Sequence, residues 1–568
     1  MLESRIDLIL LLVIMMGAFF YLRTTPEFAA NLPQDAADFS IPSVTFLETG
    51  YLGVTMYDKP APTGHPIGMP ILLMPSYIIL GHFIGNGIYM ILLCALGILA
   101  LVYYIGRAIS GRLAGFAAAM FLATHHGFRL YSQKIMSEIP ALFLITAALA
   151  LLLYAHKHAR SNWPYLLLGV SVGLAIIMRS ENILLAIPIG VLCLMRLIRI
   201  NLRRGILIAV GLFPWLTLQA VYNRANYGSP FRTGYHWIGW FEQPSFALHN
   251  ATAHGYWTLT RHYPERFEKN MDGNFLVTVK TILSQSDQSL VFGPSSLWNG
   301  RPQSLYAALI LLRALLGGIG FIYCLVQWKK RPEVKTFLVW ATILMATTAV
   351  FYTFFSWQEE RYLLRLVSLF CILDGLAAAA ILDVVHRACG TARAEVSFVT
   401  AGAICVLAAI LACLNSFGLV YNGDDNLYLY QAMRTAAGSM EPNAVIVTDW
   451  DPVRIDIHMV RGTSRRVVPL AKRFGWDRWP KANSQPVPMY PFAVLEEPDK
   501  LIAMMQQGRT AYVLLRDPFD FQASPPELAA LGAQFDVTPV ATFKAPSGQP
   551  IGHYLLRLTL RDANQPRS

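Results

Sequence analysis

Residues 163–204 read WPYLLLGVSVGLAIIMRSENILLAIPIGVLCLMRLIRINLRR. Two apolar runs, Trp163–Met178 and Ile183–Ile200, flank a short polar hinge, Arg179–Asn182. The second run ends among Arg196, Arg199, Arg203 and Arg204. A bilayer core takes roughly 20 apolar residues of helix. The stretch therefore reads as two antiparallel membrane spans with a tight polar turn on one face and a basic loop on the other.

The same pattern continues in both directions. Apolar runs occupy Ile6–Leu22, Gly85–Ile105, Leu113–Tyr131, Ile139–Tyr154, Gly205–Tyr222, Leu305–Val326, Phe337–Phe355, Tyr362–Val384 and Phe398–Val420. HPIGMPILLMPSYIILGH (65–82) is apolar but broken by proline and glycine, as a partial or re-entrant helix would be. The expected fold is thus a multi-spanning α-helical membrane protein of about 11–12 spans. Composition agrees: the 568 residues are 55% hydrophobic and 14% charged, against roughly a quarter charged in soluble domains. The N-terminal run lacks a strong basic leader and a small-residue cleavage site, so it reads as an uncleaved anchor.

Net charge is +11, and its distribution gives the orientation. Arg107 with Arg112, HKHAR (156–160), RLIRINLRR (196–204), QWKKRPEVK (327–335) and HRACGTAR (386–393) fall in alternate loops. Basic loops stay cytoplasmic, so the N-terminus is expected inside, at the cytoplasmic membrane. The excess charge needs no nucleic-acid partner. Two domains are expected: a transmembrane module, 1–420, with outer loops 23–64 and 223–303, and an outer soluble α/β domain, 421–568. In the latter NAVIVTD, RRVVPL, TAYVLLR, VTPVATF and HYLLRLTL read as strands, and NLYLYQAMRTAAG and DKLIAMMQQG as helices. The seven cysteines include no CxxC pair and lie outside the polar C-terminal region, so no disulfide framework or thiolate metal site is expected.

Charged residues at span ends are costly unless they serve a purpose. On the outer face these are Asp35, Asp38, His65, Arg129, Lys134, Glu138, Arg179, Glu181, Glu359, Glu360 and Arg361. Each has a bland reading, as a snorkelling cation or a solvated loop carboxylate. Their convergence from separate loops suits a site that joins an anionic headgroup to a nucleophile needing a base. DWD (449–451) follows a strand but lacks the nucleotide-binding fold that would make it a metal motif. His125–His126 and His156/His158 lack further metal-ligand spacing.

In order along the chain, several motifs resemble those of the GT-C superfamily of integral-membrane glycosyltransferases, which includes protein O-mannosyltransferases and lipid A aminoarabinose transferases. Asp35, Phe39 and Gly50 fit an acidic first-loop motif, with Ala36 after Asp35 where the family often has Glu. GHPIGMPILLMP (64–75) is similar to its His/Lys-Pro segment, through His65 and Pro66. SEIP (137–140) supplies a second acidic site, Glu138. MRSENILLAIP (178–188) supplies a span-ending Arg179, and YNRANYGSPFRTGY (222–235) resembles a segment leaving a mid-chain span. EERYLLRLVS (359–368) resembles an E-x-R-Y-L-L-P motif, with Arg365 in place of proline.

The resemblance implies transfer of a sugar from a polyprenyl-phosphate donor to a lipid, glycan or protein acceptor. Asp35 would be the base, with Asp38 beside it as the alternative. Glu138 would orient the acceptor, support the site or ligate a divalent ion. Arg361, Arg179, His65 and Lys134 would face the donor phosphate. No cofactor is required, though a divalent cation remains compatible. Rival readings are a transporter, a lipid-linked oligosaccharide polymerase or ligase, and a non-catalytic scaffold. A transporter would carry charge deep in its spans; these spans read as nearly charge-free inside.

Overall fold

In the computed structural model the described residues are 2–23, 34–56, 59–63, 65–82, 84–158, 160–198, 200–231, 303–353, 364–389, 402–404, 436–448, 465–470, 479–480, 486–487, 494–495, 497–515, 531–544 and 550–561. The helical part comprises α1 (Leu2–Arg23), α2 (Gln34–Thr49), α3 (Gly68–Leu80), α4 (Ile88–Ser110), α5 (Arg112–Ala123), α6 (His126–Ser132), α7 (Glu138–Lys157), α8 (Trp163–Met178), α9 (Ala186–Leu194), α10 (Leu202–Tyr227), α11 (Gln303–Gln327), α12 (Pro332–Thr353) and α13 (Leu364–Cys389). Among the described residues five helices are long and apolar enough to cross a membrane, and six further apolar helices have 10–17 residues. The chain is a multi-spanning helical protein, as its apolar runs require.

Three expectations change. The run Leu113–Tyr131 is not one span. It breaks at Thr124–His125, where the Thr124 hydroxyl donates back to the Met120 carbonyl at 2.9 Å and the His125 ring accepts from the Phe128 amide at 3.3 Å. These local side-chain bonds offer the backbone an end to α5 and a start to α6. The run Ile183–Ile200 is a 3-10 turn, Ser180–Leu185, followed by the nine residues of α9. At 1.5 Å per residue α9 is only about 13 Å long. Finally, the spans are not charge-free. Arg313, midway along α11, pairs with Asp374, midway along α13, at 3.1 Å, with Asp374 buried and Arg313 mostly so. The run Phe398–Val420 lies outside the described residues save 402–404, which are helical.

The expected first outer loop is also more ordered than a loop. It contains α2 and a hairpin, β1 (Gly53–Met56) with β2 (Lys59–Pro62). Gly50 closes α2 in the left-handed region, φ 76°, with its amide on the Phe46 carbonyl. That conformation explains the glycine of the first-loop motif.

The bundle has two distinct ends. At one end Asp7 of α1 meets Arg107 at 2.7 Å, Arg112 at 2.9 Å and the Tyr103 hydroxyl at 2.8 Å. Arg331 donates to the Ile109 carbonyl there, and the His156 ring meets the Leu197 carbonyl. Residues of the basic loops thus gather at shared helix ends. The helices run from there to the opposite end, where the sequence motifs lie.

The C-terminal region carries a five-stranded sheet of β3 (Val445–Thr448), β4 (Arg466–Pro469), β7 (Ala511–Leu515), β8 (Phe535–Lys544) and β9 (Pro550–Leu560), in the order β4-β3-β7-β9-β8. β5 (Trp479–Pro480) and β6 (Pro486–Val487) form a separate short pair. β3 is parallel to β4 and β7, while β9 is antiparallel to β7 and β8. Alternate residues feed two cores: Ile446, Val467, Tyr512 and Leu514 on one face, Val445, Val447, Val513 and Phe535 on the other. Leu501 of α14 (Pro498–Gln506) joins the second. Both faces are covered, which is why these strands read as unbroken apolar runs. The expected domain boundary at 420/421 lies outside the described residues.

Candidate active site

Glu138 opens α7 and Arg179 caps the end of α8, extended at φ −149°. The two helices pack side by side with a short loop between them, so the start of one lies beside the end of the other. A carboxylate is favoured at a helix N-terminus and a cation at a C-terminus. Arg179 Nη1 donates to Glu138 Oε1 at 2.7 Å and to Ser137 Oγ at 3.3 Å. Its Nε donates to Glu181 Oε1 at 2.5 Å, and Arg365 Nη2 donates to that same oxygen at 2.9 Å. Glu138, Arg179, Glu181 and Arg365 thus form one chain of alternating charge, all largely buried. Two carboxylates balance two guanidiniums, which is how buried charge is tolerated.

The other motifs attach to this network through the backbone. Gly68, at the start of α3, lies against the end of α8: a Cβ there would sit 2.5 Å from the Ile177 carbonyl oxygen. No other residue allows so close an approach, and it sets the turn of His65 and Pro66 that precedes Gly68 near the end of α8. The His65 ring lies 4.8 Å from that of Phe39 on α2. Ser43 ties α2 to α3, its hydroxyl donating to the Pro70 carbonyl at 2.8 Å. The end of α10 grips the same segment. Tyr222 accepts from the Thr63 amide at 2.9 Å and donates to the Leu52 carbonyl at 3.0 Å, Tyr227 donates to the Thr63 carbonyl, and Gln219 accepts from the Ile67 amide at 3.1 Å.

Lys134 lies in the turn that leads from α6 to Glu138, with its ammonium 5.5 Å from the Tyr131 ring centre. Asp35 and Asp38 stand on α2, four and one residues before the buried Phe39; their side chains lie outside the described residues. Arg361, Glu359 and Glu360 also lie outside them, as does DWD (449–451). His125 and His126 are buried at the α5–α6 break. Among the described residues no three His, Cys, Asp or Glu side chains gather as a metal set.

Sequence reasoning passed over two members of the network. Glu181 stood among the outer charges but was given no role. Arg365 stood out only as a departure from a proline. That departure was the available signal, since the buried guanidinium at this position completes the ion chain.

The described residues thus form a bundle of apolar helices with its polar motifs at one end and a mixed sheet following in the chain. Residues 64–219, from the His65 motif into α10, match the family model described as dolichyl-phosphate-mannose-protein mannosyltransferase. No curated protein sequence matches. Among solved structures, ArnT from Cupriavidus metallidurans in the apo state is similar over 98% of both chains, at 12% identity and a TM-score of 0.61. The same enzyme bound to undecaprenyl phosphate covers 96% of this chain and 97% of its own, at 12% identity and a TM-score of 0.59. The archaeal oligosaccharyltransferase AglB from Archaeoglobus fulgidus, in complex with an inhibitory peptide and a dolichol-phosphate, covers 99% of this chain and 75% of its own, at 14% identity and a TM-score of 0.52. At such identities the likeness is one of fold.

Proposed function

We propose that the protein is a membrane glycosyltransferase that moves a sugar from a polyprenyl-phosphate donor to a lipid, glycan or protein acceptor on the outer side of the cytoplasmic membrane. The observation that carries this reading is the convergence at one end of the bundle. Phe39 and His65 meet there, Glu138 meets Arg179, and Glu181 joins Arg179 to Arg365. The family match over 64–219 and the GT-C fold support it.

In this reading Asp35 accepts the proton of the acceptor hydroxyl as its oxygen attacks the anomeric carbon. The bond from that carbon to the phosphate oxygen breaks, and its electron pair leaves on polyprenyl phosphate. Phosphate is a good leaving group, so the site must chiefly stabilise charge. Arg361, His65 and Lys134 take that role. Arg179 already meets two carboxylates, so its part is to hold Glu138, which orients the acceptor. The reaction as written uses no cofactor, and EDTA should leave the rate unchanged; a rate lost to EDTA and restored by a divalent ion would instead give Glu138 a metal-binding role. The mid-span Arg313–Asp374 pair offers a transporter reading one intramembrane charge pair, but the polar motifs lie elsewhere.

The test is Asp35→Asn, which keeps shape and removes basicity. Transfer from the lipid donor should fall by at least ~100-fold, the usual scale of general-base loss, with expression and insertion intact. Near-normal turnover in Asp35→Asn combined with loss in Asp38→Asn would move the role to Asp38.

A further inference from the structure

The segment YNRANYGSPFRTGY, which begins in the last turns of α10, has no part in the reaction above. Gln219, Tyr222, Asn223, Asn226 and Tyr227 recur there at helical spacing, so they share one face of α10. Phe213, Leu218 and Val221 are exposed, as lipid-facing residues would be.

The polar face meets residues 63–67, the turn between β2 and α3 that carries His65. A segment outside helix and sheet needs other partners for its backbone polar groups, and here α10 supplies them. The Tyr222 hydroxyl accepts from the Thr63 amide at 2.9 Å, and Tyr227 donates to the Thr63 carbonyl. Gln219 Oε1 accepts from the Ile67 amide at 3.1 Å. Pro66 has no amide to place, and the His65 amide donates to Thr63 Oγ1 at 3.3 Å. Gln219 is itself oriented: its Nε2 donates to Asn223 Oδ1 at 2.7 Å, and Asn223 Nδ2 donates to the Pro230 carbonyl at 3.1 Å. Thr63 and Ile67 are buried, so a lost partner has no water to replace it and the turn would have to shift. Three α10 side chains thus hold the backbone on both sides of His65. The base they stand on is firm, because α10 packs directly on α8: a Cβ on Gly169 would sit 2.1 Å from the Ile208 carbonyl oxygen.

We propose that Tyr222, Tyr227 and Gln219 are positioning residues that set the His65 turn so that its imidazole meets the phosphate of the lipid donor. The proposal rests on the glycosyltransferase reading, in which His65 faces that phosphate, and it gives the end of α10 a task in donor binding.

The test measures binding of undecaprenyl phosphate to the full-length protein in nanodiscs, with the melting temperature alongside. His65→Ala should weaken binding about tenfold, the scale of one lost hydrogen bond to a charged group. Tyr222→Phe and Tyr227→Phe, which remove only a hydroxyl, and Gln219→Leu should each weaken it about fivefold. In the His65→Ala background the same three changes should cost nothing further, because residues that act through one contact are not additive. Tyr51→Phe removes a bond to Asn226 on the same helix but none to residues 63–67, and should leave binding unchanged. Losses undiminished in the His65→Ala background would show that the α10 residues act by another route. An equal loss in Tyr51→Phe would show that any loosening of the helix end suffices. Unchanged binding in the three α10 variants, whatever their melting temperatures, would make the contacts purely structural, as would failure of all three to insert. Each of these results overturns the inference while leaving the glycosyltransferase reading intact. Full binding in His65→Ala removes the phosphate role of His65, and this inference with it. Wild-type protein that binds no undecaprenyl phosphate would remove the glycosyltransferase reading as well.

Discussion

Arg365 is the second residue of α13, 8% exposed, with its guanidinium on the carboxylate oxygen that also accepts from Arg179. The related motif places proline there, and the first turn of a helix tolerates proline because its amide needs no intrahelical partner. Arg365→Pro should therefore fold and insert. It removes one charge-assisted bond to Glu181, so stability should fall by about 1.5–3 kcal/mol. The melting temperature in detergent measures this. An unchanged value would mean that burial of Arg365 costs as much as its ion pair returns. Arg365→Lys should recover only part, since an ammonium cannot match the guanidinium fork. The sequence marks Arg365 as unusual, yet its partner lies 184 residues away, and no local spacing links the two.

At the scale of elements, α11 and α13 approach closely because Gly320 leaves room for the Leu373 carbonyl. This crossing also carries the Arg313–Asp374 pair, and Arg313 Nη2 reaches the Cys371 sulfur at 3.5 Å. Removing one partner of a buried pair strands the other, typically at about 3–5 kcal/mol, whereas replacing both with apolar residues is often neutral. Arg313→Leu should therefore lower the unfolding midpoint sharply, and Arg313→Leu/Asp374→Leu should recover most of the loss. A double variant no better than the single would show that the pair does more than neutralise charge. Apolar runs locate such helices well, since length and composition govern insertion. They fail where local bonds compete. Thr124 and His125 end α5 inside an apolar run, and the first motif folds as α2 through contacts to α3 that its polar sequence does not announce.

For the whole molecule, basic residues gather at one end of the bundle and the motif residues at the other. The proposed orientation, with the basic loops retained in the cytoplasm, has the C-terminal region outside. With the seven native cysteines replaced, Gln507→Cys, at the exposed position just after α14, should react with an impermeant thiol reagent in intact spheroplasts. Arg203→Cys, in the first turn of α10, should react only after lysis. Reversed labelling would put Asp35 in the cytoplasm and remove the reason for a lipid-borne donor. The helical class, the spread of charge between alternate loops and the β-rich C-terminal region follow from sequence alone, because burial in lipid or in a sheet demands contiguous apolar residues whatever the tertiary arrangement. Motif order along the chain likewise marks Glu138, Arg179 and His65 one by one. Only the folded chain decides that Arg179 spends its bonds on Glu138 and Glu181, that Arg365 joins them, and that Gly68 brings the His65 turn against α8. These are pairings between distant segments, set by how helices cross, and helix crossings depend on backbone approach and side-chain packing summed over the whole bundle.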